Sequence, residues 1–294
     1  MRAIPLILNS RSGSANAGGV ERLAGLYRAA GAEVSPRVAE RGADIPALAR
    51  EAAHEHPPLV VAAGGDGTLN AVASALVGSE TALGVIPFGT LNHFARDLGV
   101  PLDPADAVVA TLEGRAREID VGEVNGRFFL NNSSIGLYPT MVHRRTRQQR
   151  RLGRGKWQAM LWAAHTVLRS HPFMDLALEL DGKSVARRTP FVFVGNNAYE
   201  MQGFDIGRRV RLDAGMLSIY VSHRGGRLAL LALAVRALCG RLEQSRDFEA
   251  ATATELRIGS RHKRLLVATD GEVTALDLPL RYRIRPRALR VMAP

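Results

Sequence analysis

The sequence is almost without cysteine, since Cys239 is the only one among 294 residues. A single thiol cannot form an intramolecular disulfide, and it excludes a zinc site built on cysteine pairs. This usage is typical of a reducing compartment, so we expect a cytoplasmic protein. Aromatic residues are also scarce, at 5%. Because no nucleic-acid-binding module is visible either, we expect no nucleic-acid partner.

Long apolar runs are missing as well. A helix that crosses a bilayer needs about 20 predominantly apolar residues. The most apolar later segment, residues 228–235, is ended by Arg236. The apolar run near the N-terminus is too short for the core of a signal peptide, and it predicts a first β-strand instead. We therefore expect any membrane contact to be peripheral.

Lysine is rare, with only Lys156, Lys183 and Lys263, yet the net charge is +11. The positive surface is thus almost entirely guanidinium, which binds phosphate through two parallel hydrogen bonds. Residues 1–142 carry 11 basic and 15 acidic side chains, whereas residues 143–294 carry 28 and 13. A high-GC genome would explain the preference for arginine. It does not explain this segregation, which indicates an anionic partner for the second half.

The first 120 residues alternate apolar strand patterns with helix patterns. Predicted strands at 3–8, 34–38, 59–63 and 83–86 alternate with predicted helices at 20–30, 45–54, 69–77 and 93–98. This order predicts an α/β domain with a doubly wound parallel sheet. After residue 120, short strand patterns and turns such as Asn125-Gly126 predict an antiparallel sheet or sandwich. Helical stretches at 157–169 and 227–242 interrupt it.

A glycine-rich turn with a carboxylate follows the third predicted strand. Its sequence, GGDGTLN, covers Gly64, Gly65, Asp66, Gly67, Thr68, Leu69 and Asn70. Glycines let the backbone approach a ligand closely, and the amides at a helix N-terminus attract anions, so the turn suits phosphate. An aspartate here indicates Mg²⁺ between Asp66 and the phosphates, or a role for Asp66 with a hydroxyl proton. The ordinary structural alternative is a glycine-rich hairpin with a solvated aspartate.

Two more strand ends should face the same crevice, because ligands of open parallel sheets bind beyond the carboxyl ends of the strands. The polar or glycine residues there are Gly89, Thr90 and Asn92 in PFGTLNHFARDLG, and Asn9, Ser12 and Gly13 in NSRSG. A helix cap at Thr90 and a simple turn after Asn9 are the structural alternatives. Neither a Walker loop nor a GxGxxG fingerprint is present, so any nucleotide is held in another way.

These motifs resemble those of a known family. GGDGTLN, PFGTLNHFARDLG, Asp120-Val121-Gly122, residues 131–136 and Thr269-Asp270-Gly271-Glu272 are similar to motifs of the diacylglycerol kinase catalytic-domain family. The chain most closely resembles its soluble bacterial lipid kinases, whose relatives include the sphingosine kinases. The resemblance covers nearly the whole chain. GGDGT alone would also fit NAD kinases, whereas the second turn and the late DGE favour the lipid kinases.

The resemblance implies ATP-dependent transfer of the γ-phosphoryl group to a lipid hydroxyl. The site would be a cleft between an N-terminal α/β domain, residues 1–120, and a C-terminal β-sandwich, residues 121–284, with residues 285–294 packing back on the first domain. By position, residues 64–70 would hold the ATP phosphates, and Asp66 would act in catalysis by organising Mg²⁺ and the reacting groups. Thr90 would contact the nucleotide, and Glu272 would be the general base.

The acceptor is expected to be a neutral lipid alcohol such as diacylglycerol, with a sphingoid base or phosphatidylglycerol as alternatives. A catalytically silent homologue that only binds lipid or nucleotide is a further alternative. Two departures from the family pattern support it. Ala39 stands where relatives often carry a nucleotide-contacting threonine, and Ala214 replaces an aspartate of a turn near which bacterial relatives place a structural Mg²⁺. We therefore do not expect that metal site. A homodimer is left open.

A strongly basic segment precedes the helix pattern that begins at Trp157. Residues 144–156 contain seven cations and no acid. Cations beside an interfacial aromatic are attracted to an anionic bilayer, each contributing roughly 1 kcal/mol near the surface. A solvated loop that leads into a core helix is the alternative. The residues predicted to contact the membrane are Arg144, Arg145, Arg147, Arg150, Arg151, Arg154 and Trp157.

Overall fold

The computed structural model describes residues 3–10, 17–136, 173–202, 205–209, 211–222 and 248–294. Its first part alternates strands and helices. The elements are β1 (Ile4–Asn9), α1 (Ala17–Ala29), β2 (Val34–Ala39), a 3-10 turn (Gly42–Asp44), α2 (Ile45–His54), β3 (Leu59–Gly64), α3 (Asp66–Leu76), β4 (Ala82–Pro87), α4 (His93–Leu98) and α5 (Pro104–Glu113). The predicted helices at 45–54 and 93–98 have the observed bounds.

The first four strands form a parallel sheet in the spatial order β2, β1, β3, β4. The middle strands are buried without alternation: Leu6, Ile7 and Leu8 follow one another in β1, and all three have no exposed surface. Since successive side chains of a strand point to opposite faces, both faces of this sheet are covered. The predicted α/β architecture with a parallel sheet is confirmed.

Three helices differ from the sequence prediction, and the first of them, α1, begins at Ala17 rather than at residue 20. Helix α3 begins at Asp66 rather than at residue 69, because Gly65 already has an extended N-cap conformation and its carbonyl accepts the N–H of Leu69. Of the residues predicted to form a turn, Asp66, Gly67 and Thr68 therefore belong to the first turn of the helix, whereas Gly64 ends β3. Helix α5 is absent from the prediction, although Asp103 and Pro104 are typical start signals. The Asp103 side chain accepts the N–H groups of Ala105 and Asp106.

The rest of the described chain is built of strands. They are β5 (Arg115–Val124), β6 (Arg127–Phe129), β7 (Asn132–Gly136), β8 (Met174–Leu180), β9 (Lys183–Thr189), β10 (Phe191–Asn196), β11 (Tyr199–Gln202), β12 (Asp205–Arg209), β13 (Leu217–Ser222), β14 (Phe248–Ala253), β15 (Glu255–Ser260), β16 (Arg264–Thr269), β17 (Glu272–Asp277) and β18 (Leu280–Ala293). Six of them form an antiparallel sheet in the order β14, β13, β10, β7, β16, β17.

This six-stranded sheet packs on the part of the first sheet that is formed by β8, β15 and the beginning of β18. Ile135 of β7, Val194 of β10 and Ile219 of β13 share one buried cluster with Leu256 of β15 and Tyr282 of β18. The cluster takes alternate residues from strands of both sheets, as the core of a sandwich does. The predicted C-terminal antiparallel domain is confirmed.

Strand β18 joins the two halves of the molecule. Its beginning pairs with β15, and its end pairs parallel to β4, where Val291 lies opposite Leu83. Strand β5 runs antiparallel to β18 along both stretches. The first sheet is therefore continuous across both domains. Residue 120 lies inside β5, and the division of the chain at that point stays a prediction.

Some predicted features lie outside the described residues: the helical stretches at 157–169 and 227–242, the basic segment at 144–156 with Trp157, and Ser12 and Gly13. Among the described residues, no helix combines the length and the apolarity that crossing a bilayer requires.

Candidate active site

Two glycine turns touch at the carboxyl edge of the parallel sheet. Gly65 follows β3 and Gly89 follows β4, and these strands are neighbours. A Cβ placed on Gly89 would lie 2.6 Å from the Cα of Gly65, and one placed on Gly65 would lie 3.2 Å from the Cα of Gly89. The N–H of Phe88 also donates to the carbonyl of Gly64 at 2.9 Å. The two motifs singled out in the sequence therefore form one surface.

The first turn of α3 presents backbone donors at this surface. The first four N–H groups of a helix have no partner within the helix, and the helix dipole makes that end positive. Thr68 is buried and folds back on Gly64, and its Oγ1 is 3.5 Å from the Nδ2 of Asn9. Leu69 lies in the core. The predicted residues Asn9, Gly64 and Thr68 are therefore brought together, while Leu69 contributes packing.

Asp66 links the two turns. Its Oδ2 accepts the N–H of His93 at 3.3 Å, and its Oδ1 accepts the N–H of Phe94 at 3.1 Å. These are the first two residues of α4, so Asp66 stands in the first turn of one helix and caps the start of another. A carboxylate has about four lone-pair positions. Two hydrogen bonds leave room for a further ligand on Asp66.

The Asn92 side chain stabilises the glycine turn that follows β4, of which it is itself a part. It is buried, its φ is +50°, and its side-chain amide bonds twice to Gly89. Gly89 N donates to Asn92 Oδ1 at 2.8 Å, and Asn92 Nδ2 donates to Gly89 O at 2.9 Å. The Asn92 amide thus shapes the turn, whereas the neighbouring Thr90 is exposed.

Glu272 belongs to the C-terminal domain and lies close to the glycine turn at the start of α3. It begins β17, directly after the tight turn Asp270-Gly271, in which both residues have positive φ as a two-residue hairpin turn of type I′ requires. Its Oε1 lies 3.6 Å from the position that a Cβ on Gly67 would take. An exposed carboxylate of the sandwich domain therefore faces the glycine turn of the α/β domain.

Asp270 fixes the hairpin that carries Glu272. Its Oδ2 accepts the N–H of Leu130 at 2.7 Å, and its Oδ1 accepts those of Asn131 and Asn132 at 2.9 and 3.0 Å. Burial raises the pKa of Asp270 to about 6, although these three hydrogen bonds and the Arg209 charge act in the opposite direction. The position of Glu272 thus depends on a carboxylate two residues before it.

Asn70 carries an unused acceptor. Its Nδ2 donates to the carbonyl of Phe128 at 3.3 Å, whereas its buried Oδ1 has no hydrogen-bond partner among the described residues. Asn70 follows Gly67 by three residues, so the two share a face of α3. A carbonyl oxygen does not attract phosphate oxygens. It suits a hydroxyl group or Mg²⁺.

Arg209 is a buried residue that the sequence analysis missed. Its side chain has no exposed surface, and its Nε donates to Asp97 Oδ2 at 2.7 Å. Burial opposes the charge of Arg209, but Tyr199 and Asp97 outweigh it and raise the pKa above the usual arginine value. In a chain rich in arginine, no local pattern distinguishes this one.

The backbones of the two alanines that depart from the family pattern are hydrogen-bonded to polar side chains of nearby residues. Ala39 is buried at the end of β2, and its carbonyl accepts hydrogen bonds from both the N–H and the Oγ–H of Ser10. The N–H of Ala214 donates to Asn197 Oδ1 at 3.1 Å, and the neighbouring Asp213 is paired with Arg211. Within the described ranges, no three His, Cys, Asp or Glu side chains cluster in a way that could hold a metal ion.

Two family models match the chain. The model described as the diacylglycerol kinase catalytic domain matches residues 3–124, and the model described as the YegS C-terminal NAD kinase beta sandwich-like domain matches residues 135–293. The first contains both glycine turns, and the second contains Glu272. The match thus covers both sides of the site.

Relatives with full-length similarity bear related names. A protein of Pseudomonas aeruginosa described as a probable lipid kinase YegS-like is 31% identical over 91% of this chain and 87% of its own. A diacylglycerol kinase of Staphylococcus aureus is 30% identical over 90% of this chain and 84% of its own.

The fold has a close counterpart among solved structures. The crystal structure of a diacylglycerol kinase from Bacillus anthracis superposes with a TM-score of 0.70 at 21% identity, covering 99% of this chain and 97% of that one. The family models, the relatives and this shared fold agree. The chain therefore belongs to the family of bacterial lipid kinases that includes the YegS-like proteins and the diacylglycerol kinases, and it is a kinase.

Proposed function

We propose that the protein transfers the γ-phosphoryl group of ATP to the hydroxyl of a lipid alcohol, with diacylglycerol giving phosphatidic acid. One observation carries the proposal: the Glu272 carboxylate lies against Gly67, within the first turn of α3. Phosphoryl transfer asks a protein mainly for alignment, charge neutralisation and one proton acceptor. A helix N-terminus and a carboxylate that face each other across two domains offer this combination.

The nucleotide phosphates are proposed to lie at the contact of the two glycine turns. Gly65 and Gly89 have no side chains, and their backbones touch. A ligand at this contact would therefore meet the amides at the start of α3 directly. Asn9 and Thr68 border the turn, and Thr90 is exposed at the second one. Ser12 and Gly13 stay predicted nucleotide contacts from the sequence.

Magnesium fits the polar groups present. Mg²⁺ in kinases is held by one or two carboxylates together with substrate phosphates rather than by an all-protein cage. Asp66 has unused lone pairs, and Asn70 Oδ1 has no partner among the described residues. Asp66, with Asn70 as a second ligand, would hold the ion through the nucleotide. When bound, Mg²⁺ neutralises charge on the phosphate oxygens.

The chemical step assigns the proton to Glu272. The lipid hydroxyl oxygen attacks the γ-phosphorus while the bond between that phosphorus and the β,γ-bridging oxygen breaks. The hydroxyl proton passes to the Glu272 carboxylate and later to water, and ADP leaves. Because Glu272 is exposed, it can exchange that proton with solvent after each turnover.

Access to a lipid acceptor is proposed to involve an anionic membrane surface. The support comes from the sequence, where six arginines and one lysine lie between residues 144 and 156. Binding to phosphatidylglycerol vesicles but not to phosphatidylcholine vesicles should follow. Replacing Arg144, Arg145 and Arg147 together by glutamine should weaken it. Equal binding of the variant and the unchanged protein would contradict this role.

The direct test is a phosphorylation assay with purified protein, labelled ATP and Mg²⁺. The acceptors are diacylglycerol, a sphingoid base and phosphatidylglycerol, resolved by chromatography, and NADP formation from NAD is measured in parallel. We expect label in phosphatidic acid. Label in another lipid would reassign the acceptor, and NADP alone would overturn the lipid assignment. Vesicle binding without label in any product would favour a catalytically silent homologue.

A further inference from the structure

Arg209 uses its whole guanidinium group inside the protein. Besides the bond to Asp97, its Nη1 donates to the carbonyls of Leu130 at 2.5 Å and Asn196 at 3.3 Å. Its Nη2 donates to Asn131 Oδ1 at 2.9 Å. The guanidinium is planar, so these bonds fix the distances between the groups that it joins. Lysine could not reproduce them.

The segment at residues 130–132 is held from two sides. Arg209 binds the carbonyl of Leu130 and the side chain of Asn131, while the N–H groups of residues 130–132 donate to the Asp270 carboxylate. Asp270 precedes Glu272 by two residues in a tight turn. A shift of the segment would therefore move the hairpin that carries Glu272.

The other end of the network is anchored in the α/β domain. Asp97 belongs to α4, and the start of α4 is capped by Asp66. The contacts thus form a closed path, from the glycine turn through α4 and Arg209 to the hairpin, and back to Gly67 through Glu272. Both domains contribute to it.

We propose that Arg209, through its ion pair with Asp97, is a positioning residue that sets where Glu272 stands relative to the glycine turn. The proposal rests on the proposed function, since it assigns Glu272 as the proton acceptor. Arg209 itself touches no substrate in this view. A misplacement of about 1 Å in a catalytic group can cost roughly 100-fold in rate, so an indirect effect on turnover should be large.

The test combines kinetics with hydrogen exchange in the full chain. The variants are Arg209→Lys, which keeps the charge, and Asp97→Asn, which keeps the shape of the side chain, each also combined with Glu272→Gln. The control is Arg264→Lys, which alters an exposed ion pair with Asp277 in the same hairpin. We expect kcat to fall roughly 10- to 100-fold with little change in the nucleotide KM. The control should keep its kcat.

The combined variants separate positioning from general destabilisation. If Arg209 acts through Glu272, the Asp97→Asn change should cost little further activity once Glu272→Gln is present, because the effects of residues that act as a unit are not additive. An equal loss in both backgrounds would overturn the proposal. So would a loss that tracks the unfolded fraction seen by circular dichroism.

Hydrogen exchange measures the effect of Asp97 on the Glu272 hairpin independently of the activity. In Asp97→Asn, the amides of residues 130–132 should exchange at least about tenfold faster, with faster exchange spreading to the hairpin at 269–273, while those of α2 stay unchanged. Unchanged exchange at both places would overturn the inference even if lipid kinase activity is found. Faster exchange there without any lipid kinase activity in the unchanged protein would instead count against the proposed function.

Discussion

Gly65 and Gly89 follow two neighbouring strands of the parallel sheet, β3 and β4, and their backbones touch. A Cβ on Gly89 would stand 2.6 Å from the Cα of Gly65 and 2.7 Å from the Oδ1 of Asn92. The first of these neighbours is backbone, and the second is an amide already bonded to Gly89 itself. Neither can move without opening the proposed phosphate site. The close contact between the two turns therefore requires glycine at position 89.

Gly89→Ala should separate the two turns. We expect a loss of about 1–3 kcal/mol in the free energy of unfolding, which is typical of overpacking, and a higher KM for the nucleotide. Gly25→Ala is the matched control, because a Cβ on this helical glycine would meet no described atom within 4 Å other than its chain neighbours and the nearby backbone of its own helix. It should stabilise the protein by roughly 0.5–1 kcal/mol. Equal nucleotide KM values for both variants would contradict the contact.

Glu272→Gln tests the proton acceptor. The amide has the same shape but cannot take the hydroxyl proton, so kcat should fall by roughly 10²- to 10⁴-fold. Because Glu272 is exposed, the free energy of unfolding should change by less than about 0.5 kcal/mol. Asp277→Asn, an exposed carboxylate at the other end of the same strand, should leave kcat unchanged. Near-normal phosphoryl transfer by Glu272→Gln would remove Glu272 from the mechanism.

Asp66→Asn tests two roles of one carboxylate. The amide retains one acceptor for the start of α4 and loses the charge, so the free energy of unfolding should fall by roughly 0.3–1 kcal/mol. Loss of a metal ligand should also raise the Mg²⁺ concentration for half-maximal activity by at least roughly tenfold, since even loss of a residue that only orients a ligand costs that much.

Asp103→Asn provides the control for Asp66→Asn. Asp103 caps α5 through the N–H groups of Ala105 and Asp106, at 2.8 and 3.3 Å. Both variants should therefore lose similar stability, whereas only Asp66→Asn should change the Mg²⁺ dependence. The same Mg²⁺ dependence in both would reduce Asp66 to a helix cap.

Local features of the fold could be predicted from the sequence. The unbroken apolar runs of β3 and β4 predicted a parallel sheet, and GGDGTLN predicted a turn that suits phosphate, because each signal lies within a few residues. The start of α3 was predicted three residues too late, since glycine and aspartate have low helix propensity. The structure places Asp66 inside the helix because Gly65 serves as the N-cap.

Contacts between distant parts of the chain could not be predicted in this way. Asp66 caps a helix that begins 27 residues later, and Arg209 bonds to Asp97, which is 112 residues away. No short pattern encodes such pairs. Glu272 was singled out through the family resemblance alone, since a carboxylate after an Asp-Gly turn is usually a surface feature of a hairpin. The structure adds the reason for its position, because the Asp270 carboxylate accepts hydrogen bonds from the N–H groups of residues 130–132.

The contribution of Asp270 to the free energy of unfolding should decrease as the pH rises. Burial raises its pKa from 3.8 to about 6, so the folded state binds the proton more tightly than the unfolded state. The contribution is fully present below pH 3.8 and is lost as the pH rises through about 6. Relative to Asp270→Asn, the free energy of unfolding should fall by roughly 2 kcal/mol between pH 4 and 7. Denaturant unfolding at a series of pH values measures it.

Asp181 is the matched control because it stands in the other Asp-Gly hairpin turn and should show the opposite sign. Hydrogen bonds from the backbone of Glu255 and from Thr254 lower the pKa of Asp181 below 3.8. Its contribution should be present above pH 3.8 and should disappear as the pH falls further. Because an amide stands in for a neutral carboxyl, both variants should come closest to the unchanged protein in acid. Near pH 7, Asp181→Asn should be less stable than the unchanged protein, whereas Asp270→Asn should be the more stable of its pair. If both variants followed one pH profile, burial would not determine the pKa of Asp270, and the carboxylate that holds the Glu272 hairpin would be ionised throughout.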